Sequence, residues 1–248
     1  MFQSAINQYL NTHKHSSLPL KAVLFDMDGV LFDSMPYHAN AWHTIMEERG
    51  LHLSKEEAYL HEGRTGSGTI NLICQRQFGR DATEEEIEEI YKAKTAAFNS
   101  HPLAEKMEGS WEVLTKVKRD GLFSMVVTGS GQATLLNRLN ENFPDTFKSE
   151  LMVTAFDVKY GKPNPEPYLM ALNKGSLKAN EAIVVENAPL GVQAAAAAGI
   201  FTVAVNTGPL DDQVLLDAGA NVLFPSMQAF CDSWEDLLKE FKSASSLS

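Results

Sequence analysis

Cysteine is scarce in this sequence, and its two thiols lie far apart. Cys74 and Cys231 are the only cysteines, so the chain carries neither a disulfide framework nor a pair of thiolates spaced to hold a metal ion. We expect both to be packed core thiols in a cytoplasmic protein, because a reducing compartment keeps isolated thiols reduced.

Long apolar runs and positive charge are also lacking. No apolar stretch approaches the roughly 20 residues that a helix needs to cross a bilayer, and residues 1–19 are too polar for a signal peptide. Twenty-one Lys and Arg stand against 32 Asp and Glu, which gives a net charge of −11. Nucleic-acid binding needs a basic face, so we expect neither nucleic acid nor membrane as a partner. No apolar dimer face is evident either, and a monomer is expected.

The sequence alternates short apolar runs with helical patterns from residue 20 onward, which is typical of βα units around a parallel sheet. Strands are predicted at 22–25, 123–127, 182–185 and 201–205, with shorter candidates at 151–154 and 222–224. This pattern predicts an α/β core over 20–33 and 106–240. The Ser-rich end of the chain, 241–248, is expected to be a flexible tail.

A helical pattern interrupts the sheet domain between its first two strands. Two capping boxes, at Ser54 and Thr83, mark helix starts, and Lys94 falls beside an apolar stripe on the second of these helices. We therefore expect a helical cap domain at 34–105, inserted into the sheet domain. For the N-terminal extension, 1–19, a surface helix and a mobile segment both remain open.

Polar residues follow three of the predicted strands: Asp26, Thr128 and Glu186. Carboxyl ends of parallel strands share one edge of the sheet, where ligands bind in open α/β folds, so we expect these three side chains to meet. Asp28 projects to the same side as Asp26, because side chains two apart do so on extended backbone. Two neighbouring carboxylates repel each other unless a cation lies between them. Glu186 and Asn187 supply further oxygen ligands, and ligation by oxygen alone favours Mg²⁺ over zinc.

Groups suited to a phosphate lie beside these carboxylates. Residues 128–131 read Thr-Gly-Ser-Gly, and the backbone of Gly129 and the hydroxyl of Ser130 can reach an anion at a helix N-terminus. An ordinary helix cap explains this segment equally well. Lys162 stands in a Gly-Lys-Pro-Asn-Pro turn, whose prolines restrict the chain that carries it. With the paired carboxylates, these groups indicate phosphoryl transfer, in which a carboxylate attacks phosphorus while Lys162 and a metal offset the charge.

Two other classes of function fit parts of this pattern. A metal-independent serine hydrolase would use Ser130, but Thr128 stands where the Gly-x-Ser-x-Gly elbow needs its first glycine. A regulatory domain without catalysis has no need of the paired carboxylates Asp26 and Asp28. The sequence also lacks a Gly-x-x-x-x-Gly-Lys-Ser/Thr loop, so nucleotide hydrolysis of the P-loop kind is not expected.

Taken in order, these motifs resemble those of the haloacid dehalogenase-like phosphatases, and within them the β-phosphoglucomutase-like group. The resemblance covers residues 21–234 and rests on four motifs, at 25–31, 126–130, Lys162 and 185–191. It implies a Rossmann-like parallel sheet with an inserted α-helical cap, and Mg²⁺ as cofactor. It also implies a small phosphorylated substrate, such as a sugar phosphate, acted on by a phosphatase or a phosphomutase.

The resemblance assigns chemical roles to the four motifs. Asp26 would be the nucleophile that forms an aspartyl-phosphate, and Asp28 would be the general acid and base. Thr128 and Lys162 would hold the transferring phosphoryl group. The metal shell would consist of Asp26, the backbone carbonyl of Asp28, Glu186 and Asn187.

The cap is where the resemblance places the choice of substrate. His38, Trp42 and Lys94 match cap positions of the mutase-like pattern, although a packed or solvated helix position explains His38 equally well. The mutase loop reads Gly-Val-Ser-Arg and grips a second phosphate with its arginine, whereas residues 63–66 read Gly-Arg-Thr-Gly. Arg64 therefore stands two places early, and Gly66 stands at the arginine position. Hydrolysis and the isomerisation of β-glucose 1-phosphate both remain open.

Two further residues depart from the family pattern. Asn187 replaces the usual Asp of the fourth motif, with one negative charge fewer at the metal. Glu62 precedes the cap loop, and a carboxylate that points at a phosphate repels it. Solvent is the common environment of a loop Glu, while contact with a metal, a sugar hydroxyl or Arg64 is the alternative. If Glu62 does reach the site, a compact substrate bridged by metal, such as inorganic pyrophosphate, is expected.

Overall fold

The core of the protein is a five-stranded parallel sheet. The computed structural model describes residues 2–131 and 135–245. Its strands are β1 (Ala22–Phe25), β2 (Phe123–Val126), β3 (Ala182–Glu186), β4 (Phe201–Val205) and β5 (Val222–Phe224). They lie in the order β2-β1-β3-β4-β5, and neighbours run parallel throughout. This arrangement confirms the α/β Rossmann-like fold.

Helices cover both faces of the sheet and form the segment between β1 and β2. They are α1 (Gln3–His13), α2 (Met35–Glu48), α3 (Lys55–Leu60), α4 (Gly66–Phe78), α5 (Glu84–Asn99), α6 (Ser110–Arg119), α7 (Leu135–Asn142), α8 (Glu166–Lys174), α9 (Pro189–Ala197), α10 (Asp212–Asp217) and α11 (Met227–Ser245). Because both faces of the sheet are covered, β1, β3 and β4 are buried along their whole length and read as continuous apolar runs.

Strand register determines where the polar residues meet. Phe25 of β1 lies level with Val126 of β2 and Val185 of β3. Asp26, one residue further along, therefore lies beside Glu186, and the loop after β2 begins on its other side. The three strand ends form one edge of the sheet, as the sequence predicts.

The helices between β1 and β2 have an apolar cluster of their own. Its buried members come from α2, α4, α5 and the loop after α2: Ile45, Met46, Leu51, Leu53, Ile70, Ile73, Cys74 and Ile90. Two antiparallel chain segments join this unit to the sheet, with a hydrogen bond of 3.0 Å from Asp33 N to Glu105 O and one of 2.9 Å from Met107 N to Leu31 O. The limits 34–105 for a cap domain remain a prediction.

The N-terminal extension forms a helix that packs on the core. Ile6 and Tyr9 of α1 are buried, and the Tyr9 hydroxyl donates a 2.7 Å hydrogen bond to the carbonyl of Gly199. The Tyr9 ring also meets Phe201 of β4 edge-on, with 5.4 Å between centroids. Of the two possibilities open for 1–19, the helix is the one that the structure adopts.

Two expectations from the sequence are wrong. Residues 151–154 form no strand, because only Val153 pairs, in an isolated bridge with Val127, and a 3₁₀ turn occupies Ser149–Leu151. Residues 241–245 are no flexible tail, because α11 continues to Ser245 with Phe241 and Ala244 buried. The rest of the expected tail, 246–248, lies outside the described residues. Within the described part of the chain, no helix is long and apolar enough to span a membrane.

Phe241 offers a test of the role of α11. Its side chain is 1% exposed and meets the Phe201 ring edge-on at 5.1 Å. Phe241→Ala should lower the free energy of unfolding by about 3–5 kcal/mol, because it removes buried contacts and leaves a cavity. Urea denaturation measures this change. Phe78→Ala, at a side chain 52% exposed, is the control, and an equal loss in both variants would contradict the packing of α11.

Candidate active site

A buried lysine connects the ends of β1, β2 and β3. Lys162 reaches in from the loop before α8, and its Nζ lies 2.5 Å from Asp26 Oδ1 and 2.6 Å from Glu186 Oε1. It also donates to the carbonyl of Val127, at 3.1 Å. All three donors of the ammonium group therefore have acceptors, one at the end of each strand. The sheet edge brings together the residues that the first, third and fourth motifs predict.

Burial and charge act in opposite directions on these groups. Burial alone would lower the pKa of Lys162, but the charges of Asp26 and Glu186 raise it above its usual value, so the ammonium stays protonated. Burial raises the pKa of Asp26, Lys162 opposes that shift, and Glu186 reinforces it. Asp26 thus lies in surroundings that have more negative charge than one lysine balances.

Glu186 is held by hydrogen bonds on both carboxylate oxygens. Its Oε1 accepts from the Tyr168 hydroxyl at 2.6 Å as well as from Lys162. Its Oε2 accepts from the backbone N–H groups of Asn187, at 3.1 Å, and Ala188, at 3.4 Å. A Cβ on Gly191 would lie 1.9 Å from Oε1, so only glycine leaves room for the carboxylate. These contacts favour a role in holding Lys162 over direct ligation of a metal.

Asp28 lies beside Asp26 but in different surroundings. Ser34 Oγ donates to its Oδ1 at 2.5 Å, and Nε2 of His38 lies 3.3 Å from the same oxygen. Burial acts to raise the pKa of Asp28, but the charge and hydrogen bond of His38 and the hydrogen bond of Ser34 outweigh it and lower the pKa to about 2. Asp28 is therefore an ionised carboxylate at neutral pH.

His38 links Asp28 to the cap. Nζ of Lys94 lies 2.7 Å from Nδ1 of His38, and the Lys94 ammonium also faces the rings of Trp42 and Phe98 at 5.2 and 5.3 Å. Burial and the Lys94 charge lower the pKa of His38. The charge and hydrogen bond of Asp28 oppose this shift. With Lys94 donating to Nδ1, the proton of His38 is on Nε2, facing Asp28.

Glu62 reaches the site instead of solvent. The side-chain amide of Asn187 donates to both Glu62 oxygens, at 3.2 and 3.0 Å. Burial and the charges of Asp26 and Glu186 raise the pKa of Glu62 well above its usual value. A cap carboxylate thus faces the carboxylates of the core, and the amide of Asn187 joins the two.

The residues present fit a divalent cation. Since the Asn187 nitrogen serves Glu62, its Oδ1 points the other way, where it is buried without a hydrogen-bond donor. Burial is the first cause of the raised pKa values of Asp26 and Glu62, and the neighbouring carboxylates add to it, so a cation between these groups would favour their ionised forms. In residues 2–131 and 135–245, no three His, Cys, Asp or Glu side chains form a metal cluster by themselves. A site built from one carboxylate, a backbone carbonyl and an amide oxygen needs no such cluster.

The loop after β2 lies against the cap loop. Thr128 is buried, and its Oγ1 accepts a 3.0 Å hydrogen bond from the N–H of Ser130. A Cβ on Gly129 would lie 2.9 Å from the carbonyl oxygen of Gly63 in the cap loop. Gly129, in the second motif, is therefore a small residue at the point where the backbones of cap and core approach each other. Thr128, next to it in the chain, lines the cavity.

The cap and the strand ends enclose a cavity of about 80 Å³. Every predicted substrate-binding residue lines it, together with Asp26, Asp28 and Thr128, whereas Lys162, Glu186 and Asn187 do not line it. The substrate-binding set consists of His38, Glu62, Arg64, Lys94, Gly129 and Ser130. Trp42, which matches the cap pattern, also lines the cavity, and so does Tyr91, which the sequence analysis missed. The signal for Tyr91 was its place three residues before Lys94, on the same face of α5.

Arg64 carries a guanidinium that the protein leaves partly unused. Burial lowers its pKa, and its Nε is buried with no acceptor among the described residues. It lines both the cavity and the outer cleft between the cap loop and residues 159–164. Arg64 therefore lies where the cavity and the outer cleft meet.

Lys94 allows a test in which stability and activity change in opposite directions. Burial lowers its pKa from 10.5 to about 8, so the folded state holds its proton less tightly than the unfolded chain does. At pH 7 this difference costs up to about 3 kcal/mol. Lys94→Met should therefore raise the free energy of unfolding at pH 7 while lowering activity, because His38 loses the donor that fixes its proton.

The difference in free energy of unfolding between Lys94→Met and the wild type should decrease between pH 8 and 10.5. Over that range the unfolded wild-type chain binds more protons, so wild-type stability rises with pH. Denaturation curves at several pH values measure the effect. Lys92→Met, at an exposed position of the same helix, is the control, and a destabilised Lys94→Met at pH 7 would contradict the analysis.

Comparison with known proteins agrees with this site. A family model described as haloacid dehalogenase-like hydrolase matches residues 23–205. The phosphorylated carbohydrates phosphatase of Thermotoga maritima is 29% identical over 82% of this chain and 94% of its own. Hexitol phosphatase A of Escherichia coli is 30% identical over 75% of this chain and 83% of its own.

A solved structure from Bacteroides vulgatus, described as that of a candidate β-phosphoglucomutase, is similar over nearly the whole molecule. It is 65% identical, covers 98% of each chain and superimposes with a TM-score of 0.93. The family match spans four of the five strands and includes all four motifs. The chain is thus an enzyme that belongs to the haloacid dehalogenase-like hydrolases, in the β-phosphoglucomutase-like group.

Proposed function

We propose that this enzyme is a Mg²⁺-dependent phosphohydrolase that acts through an aspartyl-phosphate on Asp26. The observation that carries the proposal is the buried pair of Lys162 and Asp26, 2.5 Å apart, with the ionised Asp28 beside it. Lys162 holds the nucleophile and offers positive charge to an incoming phosphoryl group. A carboxylate nucleophile and a second carboxylate are the two groups that this chemistry requires.

The metal site would be formed by Asp26, the backbone carbonyl of Asp28 and the free Oδ1 of Asn187. Oxygen ligands alone suit Mg²⁺, which when bound would offset the repulsion between these carboxylates and a phosphate. Glu186 would not bind the metal itself. It would hold Lys162 in place and accept a hydrogen bond from the backbone N–H of Asn187. Thr128, Gly129 and Ser130 would bind the phosphoryl oxygens at the end of β2.

The proposed reaction has two steps. A carboxylate oxygen of Asp26 attacks phosphorus, the bond from phosphorus to the leaving oxygen breaks, and an aspartyl-phosphate forms. In the second step water attacks this phosphorus, Asp28 takes the proton of the water, and the Asp26–phosphorus bond breaks to release phosphate. The low pKa of Asp28 suits the second step, because the carboxylate is ready to accept a proton.

Two classes of substrate are candidates. The names of the relatives, a phosphorylated carbohydrates phosphatase and a hexitol phosphatase, support a sugar or polyol phosphate. The size of the cavity supports a smaller substrate, because its volume of about 80 Å³ is well below the roughly 300–1,000 Å³ of sites that bind drug-sized ligands. The position of Glu62, which faces the core carboxylates, favours the smaller class.

Inorganic pyrophosphate is the substrate that the geometry favours. Glu62 would repel a bare phosphate, but it can be accommodated when a divalent cation lies between it and the substrate, and pyrophosphate binds such cations strongly. The leaving group points the same way. Phosphate departs as a stable anion, whereas a sugar alkoxide needs a proton when its bond to phosphorus breaks. Arg64, which lines the cavity, would offer positive charge to the second phosphate.

Substitution of the two aspartates tests the chemistry. Asp26→Asn should abolish phosphate release, since the amide is no nucleophile. Asp28→Asn should lower kcat by about 10²–10⁴, the usual contribution of general acid and base catalysis, while binding of Mg²⁺, measured by calorimetry, changes little. Asp33→Asn, at an exposed aspartate, is the control. An unchanged rate in Asp28→Asn would overturn its assignment.

Substitution of Glu62 tests the substrate. Phosphorus NMR with Mg²⁺ should show phosphate released from pyrophosphate, and Glu62→Gln should lower kcat/KM about 10–100-fold, as loss of a group near a metal shell does. Glu56→Gln, exposed at the start of α3, should leave the rate unchanged. A wild-type rate in Glu62→Gln would remove the argument for pyrophosphate. Formation of glucose 6-phosphate from β-glucose 1-phosphate without free phosphate would instead identify a mutase.

A further inference from the structure

Tyr59 contacts the core outside the cavity. It lies on α3 of the cap and does not line the cavity. A Cβ on Gly208, in the loop between β4 and α10, would lie 3.0 and 3.2 Å from Cδ1 and Cε1 of the Tyr59 ring. Gly208 has no positive φ, so its backbone does not call for glycine. The ring therefore rests on the backbone at Gly208, where an added side chain would push it away from the core.

Glu62 follows Tyr59 by three residues, and the turn between them is hydrogen-bonded. The His61 N–H donates to the carbonyl of Glu57 at 3.0 Å, and the Glu62 N–H donates to the carbonyl of Tyr59 at 3.4 Å. The start of α3 is fixed by the capping box of Ser54 and Glu57. Because α3 is short and held at both ends, a displacement of the Tyr59 ring would carry Glu62 with it.

Tyr59 and Glu62 contact the loops after two neighbouring strands. Tyr59 lies against Gly208, which follows β4. Glu62 accepts both hydrogen bonds of the Asn187 amide, which follows β3. Because β3 and β4 pair directly, the cap touches one edge of the sheet at two points. One of these points is in the candidate site, and the other is outside the cavity.

The core connects the same two points through the loop after β1. A Cβ on Gly29 would overlap the side-chain amide of Asn187, so this amide packs directly on the glycine. The Gly29 carbonyl accepts a 2.7 Å hydrogen bond from Oγ1 of Thr207, the residue before Gly208. The contacts therefore form a closed chain that consists of Tyr59, Gly208, Thr207, Gly29, Asn187 and Glu62.

We propose that Tyr59, resting on Gly208, is a positioning residue that holds Glu62 beside the proposed metal site. This inference rests on the proposed function, because Glu62 affects the reaction only where a cation and a substrate bind next to it. Thr207 supports the arrangement from the core through its hydrogen bond to Gly29. Tyr59 itself touches neither metal nor substrate, because it lies outside the cavity.

A double-mutant cycle between Tyr59 and Glu62 tests the proposal. Phosphate release gives kcat/KM for pyrophosphate, and calorimetry gives the affinity for Mg²⁺, in the wild type, Tyr59→Ala, Glu62→Gln and the double variant. Tyr59→Ala should lower both values about tenfold, as loss of a group that supports a metal site does. In the Glu62→Gln background the same substitution should have little further effect, because the group that Tyr59 positions is already lost. Equal losses in both backgrounds would overturn the proposal.

Substitutions on both sides of the contact identify its origin. Gly208→Val should resemble Tyr59→Ala, because the new side chain displaces the ring. Thr207→Val should also weaken Mg²⁺ binding, whereas Thr207→Ser keeps the hydroxyl and should restore it. Tyr59→Phe keeps the ring and should restore the values lost in Tyr59→Ala. Phe78→Ala removes an exposed aromatic side chain elsewhere in the cap and should leave both values unaltered.

The outcomes separate the inference from the proposed function. If Tyr59→Ala does not fold, Tyr59→Leu keeps an apolar side chain but not the flat ring. Wild-type values in a folded Tyr59→Ala or Tyr59→Leu would overturn the role of Tyr59 alone. A wild-type enzyme that binds Mg²⁺ but releases no phosphate would overturn the phosphohydrolase, and the calorimetric cycle would still decide whether Tyr59 positions Glu62.

Discussion

Crowded negative charge at one edge of the sheet is the constraint on which this active site depends. Asp26 and Glu186 are nearly inaccessible to solvent, and burial of a charge is tolerated only where it is paired and hydrogen-bonded. Lys162 pairs with both. The hydroxyl of Tyr168, the backbone N–H groups after β3 and the missing side chain of Gly191 all support Glu186, and so they hold the lysine in reach of the nucleophile.

The two departures from the family pattern are parts of one arrangement. An aspartate at 187 would place a fourth core carboxylate near Glu62, and the two would repel each other. Asparagine turns that contact into hydrogen bonds of 3.0 and 3.2 Å and keeps one oxygen free beneath the cavity. Compared with the family pattern, the core thus has one carboxylate fewer, at position 187, and the cap has the carboxylate of Glu62. In the proposed metal site the cap would contribute to the surroundings of the metal through Glu62, and cap position and metal binding would then be linked.

Sequence analysis predicts those structural features that depend on the local pattern of apolar and capping residues. Buried strands and capping boxes are visible as periodicity, and strand order brings Asp26 beside Glu186. Packing across long distances is not visible in this way. Residues 151–154 are apolar enough for a strand but lack a neighbour along their length, and the Ser-rich end hides the burial of Phe241. Whether Glu62 faces solvent or the core depends on how the cap lies, and no local pattern determines that.

Backbone meets backbone where the cap loop touches the core. Gly63 rests on the stem of Lys162, and its carbonyl oxygen would be 2.9 Å from a Cβ at Gly129. A contact between two backbones tolerates few substitutions, because any added side-chain atom would push the two surfaces apart. The side chains of Glu62 and Tyr91 line the cavity and are not part of this backbone contact. Evolution of new substrates in such an enzyme would therefore proceed by exchange of the residues around a fixed contact, and the catalytic edge would inherit its alignment unchanged.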